Sequence, residues 1–192
     1  MLIFVKILKI VNMSCEKVVT NGENNPQVFI ILQLKHLATN NLVTVMAIHL
    51  KSKVQFHEKR NAQIKYIMHR LKMHLDGSTF NVRNHALVLC GDFNGEPFED
   101  FYSVIVNDID LEVRDAYTFA GQPKEPTTIK KRSSNGEMIR RGIDYIFYNP
   151  SVLQLKSYLK LPKNNQLIED QGLPNMIYSS DHLSLVVDFK FK

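Results

Sequence analysis

The chain is short of the residues that build secreted or membrane-bound frameworks. It has two cysteines, Cys15 and Cys90, in 192 residues, which give neither a disulfide framework nor a metal-knuckle spacing. No apolar run approaches the ~20 residues of a membrane span. The first eleven residues are apolar, but Lys6 and Lys9 interrupt them. No small-residue cleavage site follows, so residues 6–11 read as a strand and not as a secretory signal. His57, His69 and His74 show no HExxH or comparable ligand spacing and are expected at the surface or rim. Internal repeats and low-complexity tracts are also missing. These absences point to a single folded unit in a reducing intracellular setting, the cytoplasm or the mitochondrion.

What is present suffices for a core. Hydrophobic residues make up 44% of the chain and charged residues 22%, one domain's worth of globular protein or a piece of a larger one. The formal net charge of +5 favours anionic partners such as nucleic acid or phosphorylated metabolites. Basic residues concentrate at Lys51-Ser52-Lys53, Lys130-Lys131-Arg132 and Arg140-Arg141. Read from the residues alone, such runs are solvated faces, and Arg140-Arg141 reads as a loop pair.

Apolar periodicity predicts strands over residues 6–11, 28–36 and 42–50, the last two forming a hairpin through a turn at residues 38–41. The Asn-rich stretch 20–26 reads as a surface connection ahead of that hairpin. Ile64, Ile67, Met68, Leu71 and Leu75 recur at helical spacing, with Lys59, Arg60, Lys65, Arg70 and Lys72 assigned to other faces. A central strand over 86–89 runs into Cys90-Gly91-Asp92-Phe93-Asn94-Gly95-Glu96-Pro97, followed by a helical pattern at Phe98, Phe101, Tyr102 and Ile105. Further strands are expected over 142–148, 152–161 and 183–191, with a long polar connection over 162–178. Singly inserted helices among more numerous strands argue for an α/β sandwich with mixed sheets.

Polar residues gather where these strands end: His49 with Lys51, Asp92 with Asn94, Asp144, and Asp181 with His182. Asp92 and Asn94 share a face by the period of two, at the carboxyl end of a buried strand, where ligands usually bind. The plainer reading has one of them capping the next helix. Phosphate-ester hydrolysis needs an anchor for a divalent cation, a carboxylate to orient water, and donors for the charge building on phosphoryl oxygens. The four exits supply most of that set.

Ile48-His49-Leu50-Lys51, Gly91-Asp92-Phe93-Asn94-Gly95-Glu96-Pro97, Asp144-Tyr145-Ile146 and Ser180-Asp181-His182-Leu183, in that order, resemble the endonuclease/exonuclease/phosphatase superfamily over nearly the whole chain. The stretches Pro126-Thr127-Thr128-Ile129-Lys130-Lys131-Arg132 and Gly172 to His182 resemble its nocturnin-like branch, with the related deadenylases next. The resemblance implies a Mg²⁺-dependent hydrolase of phosphate esters. It implies that Asp92 activates or orients water, Asn94 holds a phosphate oxygen, and His49 contacts the phosphate. It further implies that His182 stabilises the transition state while Asp144 orients it, and that Asp181 joins Asp92 at the metal. Lys51, Lys53 and Arg132 match positions that hold substrate phosphates. The implied substrate is NADP(H), losing its 2′-phosphate, or alternatively poly(A) RNA cut from its 3′ end.

Superfamily members also carry an upstream half with the principal metal-binding Glu and a catalytic Asn. Neither has a counterpart here, since Glu16 and Glu23 lie in poorly matched segments. Residues 1–192 are therefore expected to be a partial domain, weak or inactive by itself, and a non-catalytic fragment or binding module is the competing reading. Lys53 in place of the branch's usual Arg keeps the charge but loses the fixed fork.

Overall fold

The computed structural model describes residues 8–76, 85–118, 124–132, 134–162 and 166–192, apart from the side chains of residues 76, 166 and 167. Residues 6 and 7 of the expected first strand lie outside it. Three strands open the fold, β1 (Leu8–Thr20), β2 (Glu23–His36) and β3 (Leu42–His49), paired antiparallel in sequence order. The expected hairpin over 28–50 is β2 and β3, with Phe29 opposite Ile48 and Lys35 opposite Leu42.

The surface connection expected over 20–26 is instead a tight turn. Asn21 and Gly22 both take positive φ, 53° and 78°, the pairing that two-residue hairpins favour because it matches strand twist. β1 therefore continues to Thr20, well past residue 11. It is the edge strand, bulged between Ile10 and Asn12 and between Lys17 and Val19, and one-sided pairing with bulges breaks the clean alternation that marks a strand in sequence.

From β3 the chain passes through a short 3-10 turn (Val54–Phe56) into helix α1 (His57–Asp76) and returns in β4 (Ala86–Asp92), parallel to β3. Helix α2 (Asp100–Val106) follows, then the two-residue β5 (Arg114–Asp115), the pair β6 (Thr128–Lys131) and β7 (Met138–Arg141), β8 (Asp144–Tyr148), β9 (Leu153–Tyr158), helix α3 (Gln166–Gln171) and β10 (Val187–Phe191). The main sheet has the order β1-β2-β3-β4-β8-β5 and is mixed, and β6-β7 and β9-β10 form two small antiparallel sheets.

One face of the main sheet is dry under α1 and α2. Phe29, Ile31, Met46, Leu87, Leu89 and Phe147 meet Ile64, Ile67, Leu71, Phe101 and Ile105 there, each side chain contributing roughly 1.5–3 kcal/mol by burial. On the other face β9 and β10 cover Ala86, Val88 and Tyr148. The architecture is the expected α/β sandwich with mixed sheets.

Several boundaries differ. Phe98 is 82% exposed and lies before α2, whose buried residues are Phe101 and Ile105. The strand expected over 152–161 is shortened to β9, and that over 183–191 to β10. Residues 183–186 leave the sheet because Leu183 packs with Ile129, Leu161, Ile168 and Leu173, while its N–H bonds the Thr127 carbonyl at 2.7 Å. The connection over 162–178 contains α3, and the two basic runs near 130 and 140 form the β6-β7 hairpin. Arg60 corrects the helix reading. It is fully buried, bonding Glu99 through Nε and Nη2 and the carbonyls of Lys51, Lys53 and Val54 through its terminal nitrogens. At four residues before Ile64, it falls on the apolar stripe of α1, where a paired arginine can sit.

Candidate active site

Three neighbouring strands end at one level. His49 of β3 is opposite Asp92 of β4, and Asp92 is opposite Asp144 of β8. Gly91 makes that level possible. Its φ is +141°, and a Cβ there would lie 1.9 Å from the Ile48 carbonyl oxygen, so only glycine lets β3 and β4 run side by side up to Asp92. Phe93 turns inward and is fully buried, its ring edge-on to Tyr145 and Phe147 at 5.3 and 5.4 Å. That anchor leaves Asp92 facing the cleft.

His182 arrives from the segment before β10. Its Nδ1 lies 2.9 Å from Asp144 Oδ2 and its Nε2 3.9 Å from Asp92 Oδ2. The bond to Asp144 raises the imidazole above its ordinary range, against the opposing effect of burial. With Nδ1 held by a carboxylate, the ring carries its proton there and turns Nε2 toward Asp92 and the cleft. His49 Nε2 stands 3.7 Å from Asp92 Oδ2 on a largely exposed side chain.

Burial, and next to it the negative charge of Asp144, pushes the Asp92 carboxyl up, while the Asn94 N–H and the two histidines pull it down. Asn94 is at φ 53°. Its backbone N–H donates to Asp92 Oδ1 at 2.7 Å, and its side-chain amide donates to Asp92 Oδ2 at 3.1 Å and to the Leu50 carbonyl at 3.0 Å. Asn94 thus orients Asp92, with both amide hydrogens engaged by protein. Neither residue caps α2, whose N-cap position is Glu99.

The site opens on a cleft of about 410 Å³, floored by Ala47, Cys90 and Ile146 and bordered by Asp92, Asp144 and His182. Burial lifts the Cys90 thiol to about 11, so it is no nucleophile at neutral pH. A larger hollow of about 950 Å³ between α2 and β5 includes Asp108, Glu112 and Asp115 but no histidine. Among the described residues, the convergent ligating group is Asp92, Asp144 and His182, whose atoms lie within 4.8 Å of one another. Two carboxylates at one level, one of them short of compensating charge, fit a hard divalent cation by the chemistry of the donors.

The remaining expected residues lie elsewhere. Asp181 is half exposed and pairs with Lys130 at 2.8 Å, which holds its carboxyl below the usual range. It stands outside the convergent group. Arg132 bonds Glu137 at 3.1 Å on an exposed hairpin end. The Lys51 ammonium sits 5.1 Å from the Phe56 ring centroid, and Lys53 takes a φ of 77°. None of Lys51, Lys53 and Arg132 borders the cleft. Glu16 pairs with Arg70 at 2.8 Å, consistent with a structural role.

The sequence reading missed the shell that holds these groups. Lys124, 6% exposed, lies 3.5 Å from the fully buried Asp115, donates to the Asp144 carbonyl at 2.6 Å and sits over the Tyr145 ring. Nothing in the pattern around a lone lysine in a loop marks it. Thr127 bonds the Asp144 carboxylate and lies within a motif that carried the resemblance without receiving a role.

No family model matches the sequence. Human nocturnin is 32% identical over 186 residues, covering 95% of this chain and 41% of that protein. The solved human nocturnin catalytic domain with bound sulfate has a TM-score of 0.77 at 27% identity, covering 98% of this chain and 62% of that one. The chain is a nocturnin-like member of the endonuclease/exonuclease/phosphatase superfamily. Within that superfamily it is also similar to the CCR4-Not complex 3′-5′-exoribonuclease subunit Ccr4 of Kluyveromyces lactis, at 28% identity over 91% of this chain and 25% of that protein. This nocturnin-like chain spans well under half the length of these curated relatives.

Proposed function

We propose that residues 1–192 are the part of an endonuclease/exonuclease/phosphatase domain that carries its acid-base side, in a divalent-metal-dependent phosphohydrolase acting on the 2′-phosphate of NADP(H). The observation that carries this reading is the 2.9 Å bond between His182 Nδ1 and Asp144 beside Asp92. That bond favours the imidazolium, whose Nε2–H is a donor for charge developing on a phosphoryl oxygen. Asp92, with its proton affinity raised by burial and Asp144, suits holding or accepting a proton from an attacking water. His49 adds a donor on the open side. Asp92 and Asp144 are the residues that would hold Mg²⁺, with Asp181 joining them only on leaving Lys130. The bound cation supplies positive charge against the phosphoryl oxygens.

The substrate assignment rests on the nocturnin likeness, which exceeds that to the exoribonuclease subunit, and on the cleft border, where Tyr145 is the one aromatic among the described lining residues and forms no ladder for stacking successive bases. The test is a side-by-side assay of the purified chain in Mg²⁺ with NADPH and with an adenosine oligomer. Slow, Mg²⁺-dependent release of inorganic phosphate from NADPH is expected. Faster release of AMP from the oligomer would transfer the assignment to the deadenylases. Turnover of neither substrate, by this chain and by the chain rejoined to an upstream half carrying the metal-binding Glu, would favour a binding module.

A further inference from the structure

We propose that Thr127 is the positioning residue of the Asp144 and His182 pair, a role that rests on reading this pair as hydrolytic machinery. Thr127 is fully buried. Its hydroxyl lies 2.5 Å from Asp144 Oδ2, the same oxygen that meets His182 Nδ1. The hydroxyl oxygen accepts the backbone N–H groups of Ile143 and Asp144 at 3.1 and 3.2 Å. A hydroxyl has one proton and two lone pairs. With two amides directed at the lone pairs, its proton goes to the carboxylate, the Arg141 carbonyl being a much longer alternative at 3.5 Å.

The same dipeptide holds the histidine from the other side. The Thr127 carbonyl accepts the N–H of Leu183 at 2.7 Å, and the Thr128 hydroxyl donates to the Asp181 carbonyl at 2.7 Å. His182 is therefore fixed at both its neighbours by β6 and its approach, while its carboxylate partner is fixed by the Thr127 side chain. A threonine that only satisfied two buried amides would stabilise the fold without governing the ring. Thr127 does both, because one hydroxyl sets which way the Asp144 carboxylate faces.

The experiment follows the downfield Nδ1 proton of His182 by NMR in the full chain labelled with ¹⁵N-histidine, with circular dichroism as the control for folding. Wild type and Thr127→Ser are expected to show the proton protected. Thr127→Val, isosteric but without the hydroxyl, should lose the signal or exchange it with water roughly tenfold faster. If Thr127→Val does not fold, the wild-type chain decides, since a Thr127 hydroxyl proton committed to Asp144 Oδ2 should itself exchange slowly and give a cross-peak to the His182 Nδ1 proton on the same oxygen. An unchanged signal in folded Thr127→Val, or a Thr127 hydroxyl proton that exchanges freely with water in the wild type, overturns the proposal. The signal needs no turnover, so a chain that hydrolyses neither substrate yet shows this pattern counts against the proposed function alone.

Discussion

At Asp144 two donors, the Thr127 hydroxyl and His182 Nδ1, meet on one carboxylate oxygen, which fixes the imidazole's tautomer and direction. Asp144→Asn should keep the fold and cut turnover by a factor on the order of 10², the scale of losing one electrostatic stabiliser. His182→Ala should cost at least as much, and the double variant little more, because groups acting as a unit are not additive. Steady-state rates of the four proteins check this, and additive losses would separate the pair. Asp92 carries a different signature. Its folded-state proton affinity is raised, so the folded chain holds that proton more readily than the unfolded chain, and stability from this group falls as pH rises through the carboxylate range. Asp92→Asn should therefore gain in melting temperature relative to wild type as pH goes from 4 to 8, while losing activity. A melting-temperature difference that does not vary with pH would contradict this. These residues were legible in the sequence because each stands at one end of an apolar strand pattern, Asp92 closing one, Asp144 opening one and His182 preceding one. Thr127, Lys124 and Arg60 were not, because a buried polar side chain looks like a solvated one until its partners, far away in sequence, are known.

Elements follow the same division. The hairpin over residues 28–50 and the helix after it were legible because period-two and period-3.6 patterns are strong where one face is buried on a dry core. β1 was legible only at its start, although Asn21-Gly22 is a recognised turn signal, because an edge strand with bulges and polar exposed residues hides its period. The β6-β7 hairpin was read as charge because its cations pair with acids from other segments, Lys130 with Asp181 and Arg140 with Glu169. The join between β3 and β4 gives the sharpest test at this scale. Gly91→Ala must relieve a 1.9 Å approach to the Ile48 carbonyl at positive φ, separating the strands one residue before Asp92. A loss on the order of 4 kcal/mol in urea denaturation is expected, outside the range of ordinary substitutions. A loss below about 1 kcal/mol would mean the strands can part without cost.

Over the whole molecule, the sheet is covered unevenly. α1 and α2 seal one face, whereas on the other the row Cys15, Ile30, Ala47, Cys90 and Ile146 crosses five strands, with Ile30 38% exposed. The catalytic residues proposed here stand beside that row, with His49, Asp92 and Asp144 two residues along β3, β4 and β8 from Ala47, Cys90 and Ile146. The described helices include none long and apolar enough to cross a membrane. With two carboxylates in the convergent group and Asp181 held by Lys130, the chain's affinity for a divalent cation should be weak, since fewer oxygen ligands supply less charge and a looser geometry. Weak binding is still visible by paramagnetic relaxation, which makes a Mn²⁺ titration followed through the backbone amide signals the most direct test of the site. The account predicts broadening centred on residues 91–94, 144 and 182, removed by the double variant Asp92→Asn and Asp144→Asn. Broadening centred on another acidic cluster, such as Asp108 and Asp110, or no broadening at all, would contradict it.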